Sequence, residues 1–536
     1  TFYKMKKFLN KAKDSYKEFQ DHTSSGVGSG GGGPASQQPV AQQPNQPVDL
    51  GPPASIDVLR YRYHHGTNLG SIFVLEKWLH GSMFPASSKG GSELDAATAS
   101  LSELGLDAAR SKFEQHWANA VSDSDFAWLV NEAKCTSIRL PIGYFTLGPE
   151  YCKGTPFEKV SGVYANAWAA VRTLVARARS HGIGVLIDLH ALPGGANGDA
   201  HSGSGTGKAE FWGSRGNVAL VKKVLGAIAG EVRGGMDGVV GIQVVNEAVW
   251  GAKHMYEFYE QALETIGSVD ARIPVYISDA WDLEKALKWC NGRKRGGCPV
   301  VVDTHKYYTF SDKDRAQAPQ EIIARIGGEL KQLDGKVGNL CDRGEVQVVV
   351  GEWSCVLDGK TWSRVSPQEK GNLVTQFGRA QSAVWQQRAG GSYFWTYKMD
   401  WMDGGEWGFA EQTKKGNIPP PAYLCLPAHE VRNRLQSASE RRKELGDGAK
   451  RGHEGYWDGQ SPGQKFEHWR YGEGWELGYS DAMKFFAFRG DEGGEGGDRI
   501  GCLEIWIRRR LGESGQIGGG VCVGVGAGVS GWGEGF

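Results

Sequence analysis

The chain has 536 residues, and its 61 acidic side chains balance 61 basic ones, so its formal net charge is zero. This balance argues against a nucleic-acid partner, which would require a basic face, and gives no reason to expect a strongly charged substrate. No apolar run reaches the length of a membrane-spanning helix, so no integral membrane segment is predicted.

The N-terminal part of the chain falls into two segments by composition. Residues 1–22 are predicted to form a short basic amphipathic helix, and residues 23–54 a disordered linker rich in Gly, Ser, Gln and Pro. Such a helix is either a plain surface helix or a peripheral contact for a membrane or a partner protein. The charged N-terminus lacks the apolar stretch of a secretory signal, which favours a cytoplasmic location.

Residues 55–426 alternate between short apolar runs rich in Val and Ile and longer stretches of helical character. Continuous apolar strands separated by helices indicate a parallel sheet buried on both faces. Eight such units predict an α/β fold of the (β/α)8 barrel type. A doubly wound open sheet is the alternative, disfavoured because no Gly-rich phosphate loop follows the first strand. The predicted strands are 66–70, 137–142, 184–190, 241–247, 274–279, 299–305, 346–352 and 391–397.

Three segments are additional to this pattern. Residues 82–112 form a Ser- and Ala-rich insertion after the first predicted strand. Residues 427–514 are charged and rich in aromatic side chains, and are predicted to form a helical C-terminal extension packed on the barrel. Residues 515–536 form a low-complexity tail, for which disorder is one expectation and an artefact of gene prediction the alternative.

Ionisable side chains follow the apolar runs at their carboxyl ends, the face at which barrel active sites lie. Glu247 ends the fourth predicted strand and Glu352 the seventh. One Glu directly after an apolar run can be a structural ion pair, because burying a carboxylate is costly unless it has a partner. Two such residues on opposite sides of one barrel indicate a catalytic pair. The polar or aromatic side chains predicted to lie beside them are Arg139, His190, Asn246, His305, Tyr307 and Trp395.

Two carboxylates at one barrel mouth suit the hydrolysis of glycosidic bonds. One must be protonated to donate to the leaving oxygen, and the other must be ionised to attack the anomeric carbon. Arg139 is expected to hold Glu352 ionised, with Tyr307 donating to the same carboxylate. Asn246 is a candidate to bind a sugar 2-hydroxyl, and Trp395 is a candidate floor beneath the sugar.

Two other kinds of site are less consistent with the sequence. His190 and His305 can be combined with Glu352 as metal ligands, but the neighbouring Arg and Tyr suit a carboxylate pair better, and there is no HExxH motif. No metal is therefore predicted. A serine hydrolase is disfavoured because the chain has no GxSxG motif.

The chain resembles glycoside hydrolase family 5, in the branch of fungal exo-β-1,3-glucanases. The resemblance extends in order along the whole predicted barrel. Its motifs are GTNLGSIFVLEKWL (66–79), RLPIGYF (139–145), DLHALPGGANG (188–198), VVNE (244–247), DTHKYYTF (303–310), VVGEWS (349–354) and SYFWTYK (392–398).

The resemblance implies that Glu247 is the acid/base and Glu352 the nucleophile of a retaining enzyme that needs no cofactor. The implied reaction is release of glucose from the non-reducing end of β-1,3-glucan. Glu76 would bind a hydroxyl of the terminal glucose, and Phe310 the next sugar out. The family's location is extracellular or in the cell wall.

The chain departs from the family pattern at Asp199, where an aromatic side chain would face Phe310. This departure weakens the expectation of long β-1,3-glucan as substrate. The alternative is an intracellular β-glucosidase that acts on glucolipids or short β-gluco-oligosaccharides. An alternative of another class is a glucan-binding pseudoenzyme or scaffold, which would require the loss of a catalytic carboxylate.

Overall fold

The computed structural model describes residues 50–293, 297–334, 347–514 and 519–533. The predicted basic helix at residues 1–22 and nearly all of the predicted linker lie outside the described residues.

Eight parallel strands close into a barrel in chain order, because β1 pairs with both β2 and β8. The predicted (β/α)8 barrel is confirmed. Its strands are almost wholly buried, as expected for a sheet covered by helices outside and filled by side chains inside. The strands are β1 His64–Asn68, β2 Ser137–Gly143, β3 Gly184–Ala191, β4 Val239–Gln243, β5 Val275–Ser278, β6 Val300–Tyr308, β7 Gln347–Leu357 and β8 Gly391–Phe394.

Of the eight strands, β4 and β8 end furthest before the predicted position. β4 ends at Gln243, so the apolar residues Val244 and Val245 continue as a buried loop that leads to Glu247. β8 ends at Phe394, so Trp395 follows the strand instead of lying in it. Apolar composition reports burial and not strand pairing, which is why the predicted strands extended into these loops.

Helices surround the barrel and bury one apolar face each. In the helix Arg215–Arg233, Val221, Val224, Leu225 and Ile228 are buried at the three- and four-residue spacing of one helix face. In the described part of the chain up to residue 426, the helices are α1 Ser55–Tyr61, α2 Glu93–Asn119, α3 Asp123–Asn131, α4 Ala167–Ser180, α5 Arg215–Arg233, α6 Met255–Asp270, α7 Leu283–Gly292, α8 Asp312–Ala316, α9 Pro319–Ile326, α10 Gly359–Trp362, α11 Pro367–Arg388 and α12 Phe409–Lys414.

The insertion after β1 is largely helical and supports the loop that carries Glu76. It contains most of α2, which is interrupted at Gly105 (φ 76°). At its first residue, the buried Glu93 carboxylate accepts hydrogen bonds from the Leu75 backbone N–H at 2.6 Å and the Tyr164 hydroxyl at 2.7 Å. Burial raises the pKa of Glu93 to about 7. The insertion therefore stabilises the loop beside Leu75 at the barrel mouth.

Within the residues that the structure describes, four further helices follow the barrel, which confirms a helical C-terminal part. Their bounds are α13 Ala428–Gln460, α14 His468–Asp491, α15 Leu503–Ser514 and α16 Gly519–Gly533. The expectation of disorder is wrong for residues 519–533. A Cβ atom at Gly478 would lie 2.2 Å from the carbonyl oxygen of Val525, so glycine lets α14 and α16 approach backbone to backbone. None of the described helices combines the length and apolarity needed to cross a bilayer.

The C-terminal helices close the amino-terminal end of the barrel. Phe485 of α14 and Trp506 of α15 pack in one apolar cluster with side chains inside the barrel, among them Tyr276 and Tyr393. A buried ion pair between Arg62, just after α1, and Asp498 (3.1 Å) joins the chain before β1 to the segment between α14 and α15. At the opposite, carboxyl end of the barrel, side chains of the loops such as Trp281 and Phe310 are exposed to solvent.

Candidate active site

Arg139 of β2 lies fully buried at the centre of the barrel mouth and connects four other strands or their loops. Its guanidinium donates to side chains at all three nitrogen atoms, and the Asp188 carboxylate lies 3.0 Å from Nη2. Carboxylates raise its pKa further than burial lowers it. The hydrogen-bond acceptors are Glu352 Oε1 at 2.8 Å, Asn68 Oδ1 at 2.9 Å, Gln243 Oε1 at 2.9 Å and Asn246 Oδ1 at 2.7 Å.

Glu352 lies within β7, and both of its carboxylate oxygens accept hydrogen bonds. Oε1 accepts from Arg139, and Oε2 accepts from the Tyr307 hydroxyl at 2.9 Å. These are the contacts that the sequence predicts for this carboxylate. Two hydrogen bonds, one of them to a charged guanidinium, fix the orientation of this carboxylate.

Glu247 is displayed by the loop after β4 in a left-handed backbone conformation with φ 42°. This region is uncommon for residues other than glycine and recurs at functional sites. Its Oε1 lies 2.9 Å from His305 Nδ1, and its Oε2 lies 3.1 Å from His201 Nε2. Burial raises the pKa of Glu247, but hydrogen bonds and charges from the two histidines outweigh it and hold the pKa well below its usual range.

The two carboxylates face each other across a short gap. One oxygen of Glu247, one of Glu352 and a nitrogen of His305 all lie within 4.8 Å of one another. Such a triangle can hold a cation in principle. Here Arg139 and Tyr307 already engage the two oxygens of Glu352, and the arginine charge would repel a metal ion. The donor set therefore fits a carboxylate pair better than a metal centre.

His305 is held between carboxylates on both sides of its ring. Its Nε2 lies 3.0 Å from Asp303 Oδ2, while its Nδ1 faces Glu247 and lies 3.5 Å from Glu352 Oε2. Burial lowers the pKa of His305, yet the charges of Glu352 and Asp303 raise it well above its usual value. His305 therefore contacts both glutamates through the same ring nitrogen, Nδ1.

The remaining predicted residues line the mouth around this pair. His190 bonds Asp188 through Nδ1 at 2.7 Å, and its ring stacks on the Trp395 ring with centroids 6.0 Å apart. Glu76 accepts from Trp78 Nε1 at 2.8 Å, and burial raises its pKa while His201 and His190 oppose that rise. Phe310 lies at the rim, 61% exposed, with its ring 5.5 Å from that of Tyr307.

Sequence reasoning missed several side chains that complete the network. Asp188 and Asp303 each precede a site histidine by two residues, a spacing that places both members on the same face of a strand. The two-residue alternation of a strand could therefore have identified both aspartates from the sequence. His201 lies in a short 3-10 turn, Ala200–Ser202, where no periodic signal exists. Asp199, beside it, is exposed.

A parallel barrel with two facing carboxylates at its carboxyl end, set in a buried Arg–His–Tyr network, defines a glycoside hydrolase. The family described as Cellulase (glycosyl hydrolase family 5) matches residues 101–385, and the Glucan 1,3-beta-glucosidase 3 C-terminal domain matches residues 438–530. The chain belongs to glycosyl hydrolase family 5 and is a glycosidase.

Fungal proteins resemble it over most of its length. Glucan 1,3-beta-glucosidase 3 of Schizosaccharomyces pombe is 32% identical over 462 residues, 85% of this chain and 91% of that protein. An uncharacterized glycosyl hydrolase of Saccharomyces cerevisiae is 33% identical, over 80% of this chain and 83% of that protein. The crystal structure of rutinosidase from Aspergillus niger shares the fold, with TM-score 0.52 and 18% identity over 67% of this chain and 99% of that chain.

Replacement of Arg139 by Lys tests the central role of the guanidinium. One ammonium group cannot reach all the acceptors, so kcat on an aryl β-glucoside should fall about 100-fold or more. The buried acceptors left unpaired should lower the free energy of unfolding by about 3–5 kcal/mol. The matched control is Arg172→Lys, in an exposed ion pair with Glu231 at 3.3 Å, which should change neither quantity. A fully active Arg139→Lys would contradict this role.

Proposed function

We propose that this protein is a retaining β-glucosidase that releases glucose from the non-reducing end of β-1,3-glucan by double displacement. The observation that carries the mechanism is the short separation of the two carboxylates, within 4.8 Å at their closest oxygens. A pair this close favours attack by a carboxylate over attack by an interposed water. The names of the fungal relatives support the β-1,3 linkage.

In the first step, Glu352 attacks the anomeric carbon while Glu247 gives a proton to the leaving oxygen. Arg139 and Tyr307 hold the attacking carboxylate in place, so little reorganisation is needed as its charge passes into the covalent bond. In the second step, Glu247 takes a proton from water, whose oxygen attacks the anomeric carbon and releases Glu352. The sugar keeps its β configuration.

The terminal glucose has a polar and aromatic cradle beside the pair. Arg139 fixes Oδ1 of Asn246, so the amide nitrogen is the part of Asn246 that faces His190 and the site. That nitrogen is placed to donate to a sugar 2-hydroxyl, where hydrogen bonds strengthen in the transition state. Trp395 supplies an apolar face, and Glu76 supplies an acceptor for a second hydroxyl.

Product analysis by NMR tests this function. The purified protein, incubated with laminari-oligosaccharides, should release glucose that appears first as the β anomer. First appearance of the α anomer would contradict retention, and release of larger oligosaccharides would contradict exo action. No turnover of laminari-oligosaccharides, an aryl β-glucoside or a glucolipid would favour the pseudoenzyme alternative.

Substitutions of the two glutamates separate their roles. Glu352→Gln should lower kcat by about 10⁴-fold on every substrate, because the nucleophile is lost. Glu247→Gln should slow laminaribiose by about 10²–10⁴-fold, yet affect the first step on an activated aryl glucoside far less, because such a leaving group needs little acid assistance. Equal losses on both substrates for Glu247→Gln would argue against its role as the acid.

A second candidate function is hydrolysis of glucolipids, and exposed apolar side chains beside Glu247 favour it. Trp250 is 72% exposed and Trp281 is 51% exposed, in the loops after β4 and β5. Both loops line a groove of about 170 Å³. The backbone N–H of Trp281 donates to the Asp279 carboxylate at 3.0 Å, and the Trp281 indole is perpendicular to the His305 ring, with ring centroids 6.3 Å apart. An apolar aglycone leaving from the Glu247 side would contact this surface.

The Trp281→Ala variant distinguishes the two candidates. If an apolar aglycone lies on this surface, KM for octyl β-glucoside should rise about tenfold, which corresponds to about 1.4 kcal/mol of lost apolar contact, while KM for laminaritriose stays unchanged. Trp469→Ala, an exposed tryptophan of α14, is the control. An equal rise for both substrates would assign Trp281 to sugar binding in general.

A further inference from the structure

His201 is a second histidine on the proposed acid/base. Its Nε2 lies 3.1 Å from Glu247 Oε2, and its ring meets the His190 ring edge to face with centroids 5.4 Å apart. Asn197, four residues earlier, donates from Nδ2 to the backbone carbonyl of Glu247 at 3.0 Å. The loop after β3 therefore contacts both the side chain and the backbone of Glu247.

The two histidines on Glu247 differ in how firmly their protons are held. His305 is bonded to Asp303 through its other nitrogen and lies near Glu352, so three carboxylates share its positive charge. Among the described residues, the ion-pair contact of His201 is with Glu247 alone, although Asn197 Nδ2 also lies 3.2 Å from the same Nε2 atom, and 21% of the His201 side chain is exposed. His201 is thus the histidine that can pass a proton to Glu247 and recover one from solvent.

We propose that His201 and Glu247 hold the catalytic proton jointly, with His201 as the positioning residue that stores it between turnovers. This inference rests on the proposed function and assigns a further residue to it. Before glycosidic cleavage, the Nε2–H bond of His201 breaks and an O–H bond forms on Glu247. That proton moves to the leaving oxygen, which leaves His201 neutral and Glu247 ionised. In the second step, the proton that Glu247 takes from water returns to His201.

The charges around His201 support this assignment. Burial lowers the pKa of His201, but the hydrogen bond and charge of Glu247, with the charges of Glu76 and Glu352, raise it to about 9. The His190 ring is the other titratable group against it. Since the pKa of Glu247 is held low, the shared proton resides on His201 in the free site. The proton then moves from His201 through Glu247 only when the leaving oxygen of a bound substrate accepts it.

The pH dependence of kcat/KM follows from the raised pKa of His201. The pair keeps its proton below a pKa of about 9 and loses it as the pH rises through that value, so the basic limb of kcat/KM lies there. His201→Gln keeps a neutral hydrogen-bond donor but cannot store a proton. The basic limb should then move to lower pH by about one unit or more, towards the range of a carboxyl group.

The experiment compares pH profiles of kcat/KM for the wild type, His201→Gln and the control His429→Gln, an exposed histidine of α13. Laminaribiose and an aryl β-glucoside serve as substrates with poor and good leaving groups. The expected result is a shifted basic limb for His201→Gln on laminaribiose and no shift for the control. Coincident limbs for the wild type and His201→Gln would overturn the inference. A wild type inactive on both substrates would instead overturn the proposed function.

A second measurement does not depend on the folding of His201→Gln. Histidine ring signals of the ¹⁵N-labelled wild type and of Glu247→Gln should be titrated by NMR. His201 and His305 both contact Glu247, so their ring signals must be assigned individually, and the pKa of the His201 ring should fall by at least about one pH unit in Glu247→Gln, because the partner charge is gone. If the pKa of the His201 ring were unchanged by that substitution, His201 would not share its proton with Glu247.

Discussion

The buried guanidinium of Arg139 is the constraint on which the barrel mouth depends. A cation in this position is tolerated only if acceptors surround it, and they come from β1, β3, β7 and both β4 and its following loop. The carboxylates of Asp188 and Glu352 are equally dependent on the cation for their own burial. The positive charge of Arg139 therefore needs acceptors from several strands at once, and this shared requirement fixes the positions of these strands relative to one another.

The same network makes two chemically identical side chains different. Glu352 is held by a guanidinium and a phenol, which orient a stable carboxylate towards the sugar. Glu247 is held by two imidazoles and has a left-handed backbone conformation outside the sheet. The separation of nucleophile from acid/base thus arises from neighbours and not from the residue type.

Regions remote from the chemistry keep this arrangement rigid. The buried Glu93 of α2 anchors the loop that carries Glu76, so the Ser- and Ala-rich insertion has a structural role at the mouth. At the other end, Phe485 and Trp506 fill the base of the barrel, and glycines let α16 pack tightly on α14 behind them. The C-terminal helices therefore complete the core of the catalytic barrel and leave its active end free.

The sequence by itself determined the barrel, the two glutamates and most of their companions, because apolar strands and the polar residues at their carboxyl ends follow local periodicity and chain order. It did not determine where β4 and β8 end, because burial of a loop leaves the same apolar signature as a strand. Nor did it reveal His201 at Glu247, or helical packing in residues 519–533. Those features depend on contacts between segments far apart in the chain, and only the tertiary structure decides which distant groups become neighbours.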